Sequence, residues 1–416
     1  MDLQNYLESM GTKAKNASRI LSFEKSENKN LALKKMSQAL IENKDILITE
    51  NKKDIDKAKL DGMKESLIDR LLLTEKRIVD MADSLIQIAS LKDPIGEITS
   101  MWKNSDDLTI GKKRVPLGVI AIIYESRPNV TVDAAGLCIK SGNSVILKGG
   151  KEAINSNLAI AKVLNQAIND ILPKGTINYV NSTEREAVNI LLKLNKYIDV
   201  VIPRGGASLI NFVVNNSTVP VIETGVGNCH VYVDEYANLS MAEDIIINAK
   251  TQRPGVCNAI ETILIHEKIA KKILPSLSKK LIDKNVEIRG CNKTQVIIPC
   301  TLACEEDYKN EFLDLILAVK IVDSLDHALN HIYKYSTKHS EAIITENYSN
   351  SQRFLNEVDA AAVYVNASTR FTDGFAFGFG GEIGISTQKL HARGPMGLNE
   401  LTSSKYVIYG NGQIRK

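Results

Sequence analysis

The sequence predicts an α/β protein with parallel sheets, and three observations support this fold class. Strand-like and helix-like segments alternate between residues 119 and 223, and a second alternating series runs from residue 230 to residue 366. Such alternation is typical of βαβ units, in which helices cover both faces of a parallel sheet. The chain has 416 residues, too many for one ordinary hydrophobic core, so two or more domains are expected.

The first 95 residues predict several amphipathic helices. Apolar side chains recur at helical spacing, for example at Leu33, Met36 and Leu40, among many lysine and glutamate residues. The charges indicate a solvated surface, with a charge-based partner site as the alternative.

The first alternating series follows an extended arm with a basic turn at residues 111–113, and it opens with a buried strand at residues 119–123. Apolar runs predict four more strands, at residues 144–149, 177–180, 198–203 and 219–223. Helices are predicted between them, at residues 152–170, 183–194 and 207–214.

The second series has the same pattern. Strands are predicted at residues 230–234, 259–266, 318–322, 341–345 and 361–366. Helices are predicted at residues 241–250, 267–283 and 325–335. The tail, residues 401–412, predicts one further strand.

Charge and composition narrow the class of protein. A net charge of +3, from 52 basic and 49 acidic residues, argues against nucleic acid or an anionic membrane as partner. We find neither a run of about 18 apolar residues nor the apolar core of a signal peptide. Six scattered cysteines indicate free thiols in a reducing compartment, so the chain is expected to be cytoplasmic.

Two segments could bind an anionic ligand at the carboxyl ends of strands. Gly205 and Gly206 lie between a buried strand and a helix, where backbone N–H groups and the helix dipole favour an anion. Lys148 ends another strand and Lys151 opens the next helix, at the edge where open α/β sheets bind ligands. A tight connection and a surface lysine are the plainer interpretations.

A candidate nucleophile lies in the stretch TQRPGVCNAIETILIH, at Cys257. Gly255 frees the backbone nearby, and Arg253 adds a positive charge of the kind that favours the reactive thiolate. A buried packing role is the alternative for any free cysteine. Cys300 and Cys304 lack the further ligands of a zinc set, so no metal site is expected. The histidines show no triad spacing, although a papain-like Cys/His pair remains open.

Four stretches together resemble the aldehyde dehydrogenase superfamily: TQRPGVCNAIETILIH, YESRPNVTVDAAGLCIKSGNSVILKGG, IPRGGAS and FGFGGEIGISTQKLHARGPMGLNELTSSKYV. The resemblance implies an aldehyde dehydrogenase-like fold with three parts. A Rossmann-like NADP-binding domain would comprise residues 1–99 and 115–225, and an α/β catalytic domain would comprise residues 226–398. Residues 100–114 and 399–416 would form a small β oligomerisation flap.

The resemblance also implies a reaction, the NADPH-dependent reduction of L-glutamate 5-phosphate to L-glutamate 5-semialdehyde and phosphate. This is the second step of proline biosynthesis from glutamate. Cys257 would attack the acyl phosphate and form a thioester, which hydride from the nicotinamide would reduce. The backbone N–H of Cys257 would be one oxyanion donor, and Asn129 would be the other.

The family motifs assign cofactor-binding roles to six residues. The lysine that meets the adenosine ribose corresponds to Lys148, followed by Gly149, and the pyrophosphate turn corresponds to Gly205 and Gly206. Many NAD-dependent relatives carry a glutamate at the position of Lys151, so a lysine there favours the 2′-phosphate of NADPH. Glu311 corresponds to the glutamate that holds the nicotinamide ribose, although the phenylalanine follows it immediately here.

The sequence departs from hydrolytic aldehyde dehydrogenases where they hold substrate and water. Glu125 falls in the slot of their oxyanion asparagine, and Glu223 falls where they keep a water-activating glutamate. A phosphate-releasing reductase does not need that base. For the substrate's charged groups we expect Glu125, Arg127 and Arg370, because arginine forks suit carboxylate and phosphate.

The resemblance also implies partners for the protein, and two alternative functions remain open. A β flap implies a homodimer or homotetramer, and transient contact with glutamate 5-kinase would deliver the unstable substrate. One alternative is an NAD(P)-dependent aldehyde dehydrogenase that forms an acid with Glu223 as deacylation base. The other is a non-catalytic nucleotide-binding or scaffolding protein.

Overall fold

The computed structural model describes residues 2–415 and divides them into two compact units. The first unit comprises everything before Gly225, the segment Gly378–Gly384 and the chain from Met396 onward. The second unit comprises Gly225–Phe377 and Ile385–Pro395. The predicted catalytic domain, residues 226–398, thus includes short segments that lie with the first unit.

Five helices open the first unit, as the apolar spacing predicts. Leu33, Met36 and Leu40 are fully buried, because they share the inner face of the second helix. The fifth helix is capped by Thr74, whose hydroxyl accepts the N–H of Arg77. The five helices are Leu3–Leu21, Ser26–Glu42, Lys44–Leu60, Glu65–Leu71 and Glu75–Ser90.

A four-stranded parallel sheet forms the core of this unit. Its strands stand in the order Ile177–Tyr179, Ser144–Lys148, Val119–Tyr124 and Val200–Arg204. The buried apolar runs are typical of strands covered on both faces. The helices between and after the strands are Asn129–Lys140, Ile154–Ile168, Glu186–Leu191 and Ala207–Asn216.

Two predicted elements of this unit are wrong in extent. Residues 219–223 form no strand but a single bridge, between Val221 and Val201, because the following TGVG sequence leaves the sheet. The helix predicted at residues 183–194 shrinks to Glu186–Leu191, with turns on either side.

The predicted flap strands form a separate antiparallel sheet in the first unit. Thr109–Pro116 lies in the middle, paired on one side with Ile98–Lys103 and on the other with Thr402–Tyr409. The arm and the chain tail therefore pair in one sheet, and a role of this sheet in oligomerisation stays a prediction.

The second unit is built on a seven-stranded parallel sheet. The strand order is Thr301–Leu302, Glu287–Gly290, Ile316–Val322, Ile260–His266, Cys229–Val233, Ser340–Ile344 and Ala362–Val365. Its α-helices are Leu239–Thr251, Glu267–Ile282, Asn292–Gln295, Leu325–Tyr335 and Tyr348–Glu357. Ile385–Ser386 and Gly394–Pro395 pair as a small antiparallel ladder.

The first two strands of that order were not predicted. Thr301–Leu302 has only two residues, and the four residues of Glu287–Gly290 include two charged residues and a glycine, so neither strand has an apolar run. The α/β fold class is confirmed by the two parallel sheets. No helix within residues 2–415 is long and apolar enough to cross a membrane.

Candidate active site

Lys148 lies at the carboxyl end of a central strand in the first unit and is 6% exposed. Its ammonium group donates to the carbonyl oxygen of Gly149 at 2.8 Å. Burial lowers the pKa of this lysine, and the carboxylate of Glu152 acts in the opposite direction. The sequence therefore places a partly desolvated cation at the edge where parallel sheets bind ligands.

Gly149 is required by close packing rather than by an unusual backbone angle. A methyl group there would lie 2.3 Å from Nδ2 of Asn157 and 3.0 Å from the hydroxyl of Tyr179. Both polar atoms are buried, and the Tyr179 hydroxyl interacts with the side chain of Asn157 and the backbone of Gly149. The glycine therefore forms a cradle in which the end of the strand packs directly against these two polar side chains.

Lys151 is exposed and opens the short turn Lys151–Ala153, directly before a long helix. The next residue, Glu152, accepts both the N–H and the hydroxyl of Ser126, at 2.7 and 2.8 Å. Binding of a 2′-phosphate by the exposed ammonium group of Lys151 stays a prediction.

The glycine turn lies between strand Val200–Arg204 and helix Ala207–Asn216. The N–H of Gly206 donates to a carboxylate oxygen of Glu125 at 2.9 Å. A methyl group on Gly205 would lie 2.3 Å from the same oxygen, whereas a methyl group on Gly206 would meet no atom of the described residues within 4 Å. Glu125 therefore places a carboxylate at the N-terminus of this helix, where an anion is favoured, and the binding of a pyrophosphate at this turn stays a prediction.

The other predicted site residues of the first unit are Asn129, Arg127 and Glu223. Asn129 begins a helix, is exposed, and donates to Asp133 at 3.1 Å. Arg127 is half-buried in the preceding loop, and Glu223 is half-buried near the end of this segment of the unit. Their assignments to substrate, oxyanion and water stay predictions.

Cys257 lies in the second unit, in the turn between helix Leu239–Thr251 and strand Ile260–His266, and is half-buried. Gly227 packs against its peptide so closely that a methyl group on Gly227 would lie 1.5 Å from the carbonyl oxygen of Cys257. Only glycine fits there. The sequence motifs did not predict a role for Gly227, although its position just before a buried strand is a hint.

Two neighbours hold the same peptide and were also missed. The thiol of Cys229 donates to the carbonyl oxygen of Cys257 at 3.2 Å, and burial holds the pKa of Cys229 well above its usual range. Asn258 donates through Nδ2 to the carbonyl of Thr372 at 2.8 Å, and its own carbonyl accepts the hydroxyl of Thr369 at 2.7 Å. Cys229 is thus more than packing filler, because it fixes the backbone of the candidate nucleophile.

Glu311 reaches the Cys257 region through Gly227. Its carboxylate accepts the N–H of Gly227 at 2.7 Å. The structure therefore brings Glu311 to the nucleophile loop, and a role at the nicotinamide ribose stays a prediction.

Arg370 also lies beside this loop. Its Nε donates to Gln252 at 3.0 Å, and Nη1 donates to Oδ1 of Asn258. Burial and the like charge of Arg253 lower the pKa of the guanidinium, while Asp373 and Cys257 raise it. The guanidinium of Arg370 therefore hydrogen bonds to residues on both sides of Cys257 in the turn.

A buried ion pair lies next to the turn that carries Cys257. Lys250 and Glu261 are fully buried and lie 2.5 Å apart, and the N–H of Leu313, near Glu311, donates to Glu261 at 3.2 Å. Burial raises the pKa of Glu261 to about 7, against the effect of the Lys250 ammonium. The pair ties the strand after Cys257 to the segment that carries Glu311.

Replacing Lys250 by Met should destabilise the protein by about 3–5 kcal/mol, because it leaves the Glu261 carboxylate buried and unpaired. The check is urea denaturation followed by circular dichroism. Adding Glu261→Gln, which keeps an acceptor for Leu313, should recover most of the loss. Equal stability of Lys250→Met and the unmodified chain would contradict a structural role for the pair.

Comparison with known proteins now decides the family. Residues 7–297 match the family model described as "Aldehyde dehydrogenase family". The chain belongs to the aldehyde dehydrogenase family. It is an oxidoreductase of that family.

Relatives that match over the full length indicate which branch of the aldehyde dehydrogenase family the chain resembles. The chain is 65% identical to a gamma-glutamyl phosphate reductase of Clostridium kluyveri, over 100% of both chains. It is 51% identical to the crystal structure of a gamma-glutamyl phosphate reductase from Thermotoga maritima, with a TM-score of 0.96, covering 99% of this chain and 100% of that one. The resemblance that the motifs showed is thereby confirmed.

The aldehyde dehydrogenase fold itself extends to distant proteins. An acetylating aldehyde dehydrogenase from Geobacillus thermoglucosidasius matches with a TM-score of 0.72 at 19% identity, covering 100% of this chain and 98% of that one. At that identity the likeness shows the fold alone.

Proposed function

We propose that the protein reduces L-glutamate 5-phosphate to L-glutamate 5-semialdehyde and phosphate with NADPH, the second step of proline biosynthesis from glutamate. The observation that carries the proposal is the Cys257 loop, in which Gly227, Cys229 and Asn258 fix the backbone around a half-buried thiol. A thiol held in this way suits attack on an activated acyl group. The full-length relatives named gamma-glutamyl phosphate reductase support the choice of acyl phosphate.

Cys257 performs the covalent step. Its thiolate attacks the acyl carbon of the substrate, the bond to phosphate breaks, and a thioester forms on sulfur. The backbone N–H of Cys257 stabilises the tetrahedral oxyanion, and the side-chain amide of Asn129 is the proposed second donor. After reduction, the thiohemiacetal on Cys257 collapses to the aldehyde and regenerates the thiol.

Six residues would hold the cofactor. Lys148 and Gly149 suit the adenosine ribose, Gly205 and Gly206 suit the pyrophosphate, and Lys151 suits a 2′-phosphate; Glu311 is proposed for the nicotinamide ribose. The cradle at Gly149 and the carboxylate at the Gly206 N–H support this fit, because they mark places shaped for a ligand and for an anion. When bound, NADPH supplies the hydride that reduces the thioester.

Glu125 and Arg127, which follow the central strand, are proposed to bind the charged groups of the substrate. Glu223 is not needed for any step of this reaction. A base that activated water would hydrolyse the thioester and lose the product.

The three-stranded sheet is proposed to join copies of the chain in a homodimer or homotetramer. Glutamate 5-kinase is the proposed source of the labile substrate.

The test is the reverse reaction at steady state. The purified protein should oxidise glutamate 5-semialdehyde with NADP⁺ only when inorganic phosphate is present, because phosphate is the group that releases the thioester. Equal turnover in phosphate-free buffer would show a hydrolytic aldehyde dehydrogenase instead. No turnover with any aldehyde would favour a non-catalytic protein.

Lys151→Glu should lower the preference for NADP⁺ over NAD⁺ in kcat/KM by about tenfold or more, since one lost contact to a phosphate corresponds to about 1.5–3 kcal/mol. Lys162→Glu is the matched control, an exposed lysine on the helix that follows, and it should leave the preference unchanged. An unchanged ratio in Lys151→Glu would remove Lys151 from the cofactor site.

A further inference from the structure

We propose that Arg370 is the cation that keeps the Cys257 thiol in its reactive thiolate form, rather than a ligand of the substrate's carboxylate. Arg370 acts through Cys257, so it is a positioning residue. The inference rests on the proposed function only in taking Cys257 as the nucleophile.

The geometry of the guanidinium is fixed by the two ends of the nucleophile turn. Gln252 precedes Cys257 and accepts from Nε at 3.0 Å, and Asn258 follows it and accepts from Nη1. Asn258 also donates back to the backbone carbonyls of Arg370 and Thr372, at 3.4 and 2.8 Å. Arg370 is therefore bound to the turn that carries the sulfur by three hydrogen bonds, two from its guanidinium and one to its backbone carbonyl.

Asn258 makes this arrangement rigid. It is 4% exposed, and its own backbone carbonyl accepts the hydroxyl of Thr369, the residue before Arg370. Arg370 itself is half-buried, so water screens its charge less than it screens an exposed group. A cation held in this way stabilises a thiolate more than a mobile surface arginine does.

Other charged and titratable groups around the turn do not replace Arg370. Arg253 is close in sequence but exposed, so its charge is screened. Glu311 and Asp373 bring negative charge, which disfavours a thiolate. Cys229 and His339 are fully buried, and burial lowers the pKa of His339 to about 4, so both are neutral near pH 7.

The interaction is mutual. Cys257 raises the pKa of Arg370, and by linkage the same interaction favours the ionised form of the sulfur. An arginine side chain stays charged at neutral pH even where burial opposes it. Arg370 can therefore act on Cys257 before any substrate binds.

The test measures thiol reactivity without turnover. The rate of Cys257 alkylation by iodoacetamide, followed by peptide mass spectrometry, is recorded from pH 5 to 10 in the full-length protein. Arg370→Gln should lower the rate at pH 7 about tenfold and move the profile to higher pH, since tenfold corresponds to one pKa unit. Arg370→Lys should keep most of the rate, because it keeps the charge.

Gln252→Glu provides a second variant of nearly the same shape. Its carboxylate would offset the charge of Arg370 while still accepting from Nε, so the alkylation profile should again move to higher pH. Arg353→Gln is the matched control, because Arg353 pairs with Asp326 and Glu357 on the surface, and it should leave the profile unchanged.

An unchanged alkylation profile in Arg370→Gln, with a folded thermal transition, would overturn the inference. If that variant instead raised KM for L-glutamate 5-phosphate, Arg370 would be a substrate ligand and the proposed function would stand. If the unmodified protein had no phosphate-dependent activity, the proposed function would be rejected. The alkylation profiles would still show whether Arg370 favours the thiolate of Cys257.

Discussion

Replacing Cys257 by Ser should lower kcat by at least about 10³-fold while leaving the fold intact. A hydroxyl is a far weaker nucleophile than a thiolate, and loss of a covalent nucleophile typically has an effect of this size or larger. The side chain is half-buried in a turn, so the change removes no core volume. Steady-state kinetics and thermal unfolding check the two parts of the expectation.

Cys304→Ser is the matched control for that substitution. Cys304 is exposed and lies at the far edge of the seven-stranded sheet, beside strand Thr301–Leu302. It should keep full activity. If Cys257→Ser kept its activity, or if Cys304→Ser lost as much activity, Cys257 would not be the nucleophile.

Gly227→Ala should produce the second-largest loss, about 10²-fold in kcat. The added methyl group would overlap the carbonyl oxygen of Cys257, at 1.5 Å, so the nucleophile turn must shift. A misplacement of about 1 Å near reacting atoms can have an effect of this magnitude. The Glu311 carboxylate, which accepts the N–H of Gly227, would move with it.

Gly381→Ala tests whether any buried glycine responds in this way. A methyl group there would meet Leu137 and Ile88 at 3.6 Å or more, an ordinary contact distance. That variant should keep its activity and its thermal midpoint. Equal losses in both variants would mean that Gly227 matters for folding rather than for the position of Cys257.

The sequence predicts well which residues lie at the carboxyl edge of the first unit's parallel sheet, because they follow strands directly. Lys148 ends a strand, and Gly205 and Gly206 follow another, as the apolar runs require. It does not show that Glu125 occupies the turn, since that contact joins residues far apart in the chain. A spacing pattern contains no information about which distant side chain fills an anion site.

The same limit explains what was missed around Cys257. Gly227, Cys229 and Asn258 hold its peptide, and two of them come from a different strand and loop. Arg253 looks like the activating charge because it is near in sequence, yet Arg370 is the arginine that hydrogen bonds to the turn. Tertiary contacts decide these roles, whereas local chemistry identified only the cysteine itself.

The central claim is that Cys257 carries a thioester which phosphate releases. A single-turnover measurement tests it most directly: the protein is mixed with glutamate 5-semialdehyde and NADP⁺ in phosphate-free buffer. One NADPH per subunit should form in a burst, the Cys257 peptide should gain the mass of the acyl group, and turnover should resume when phosphate is added. Continuous NADPH formation without phosphate, or a burst without acylation of Cys257, would contradict the account.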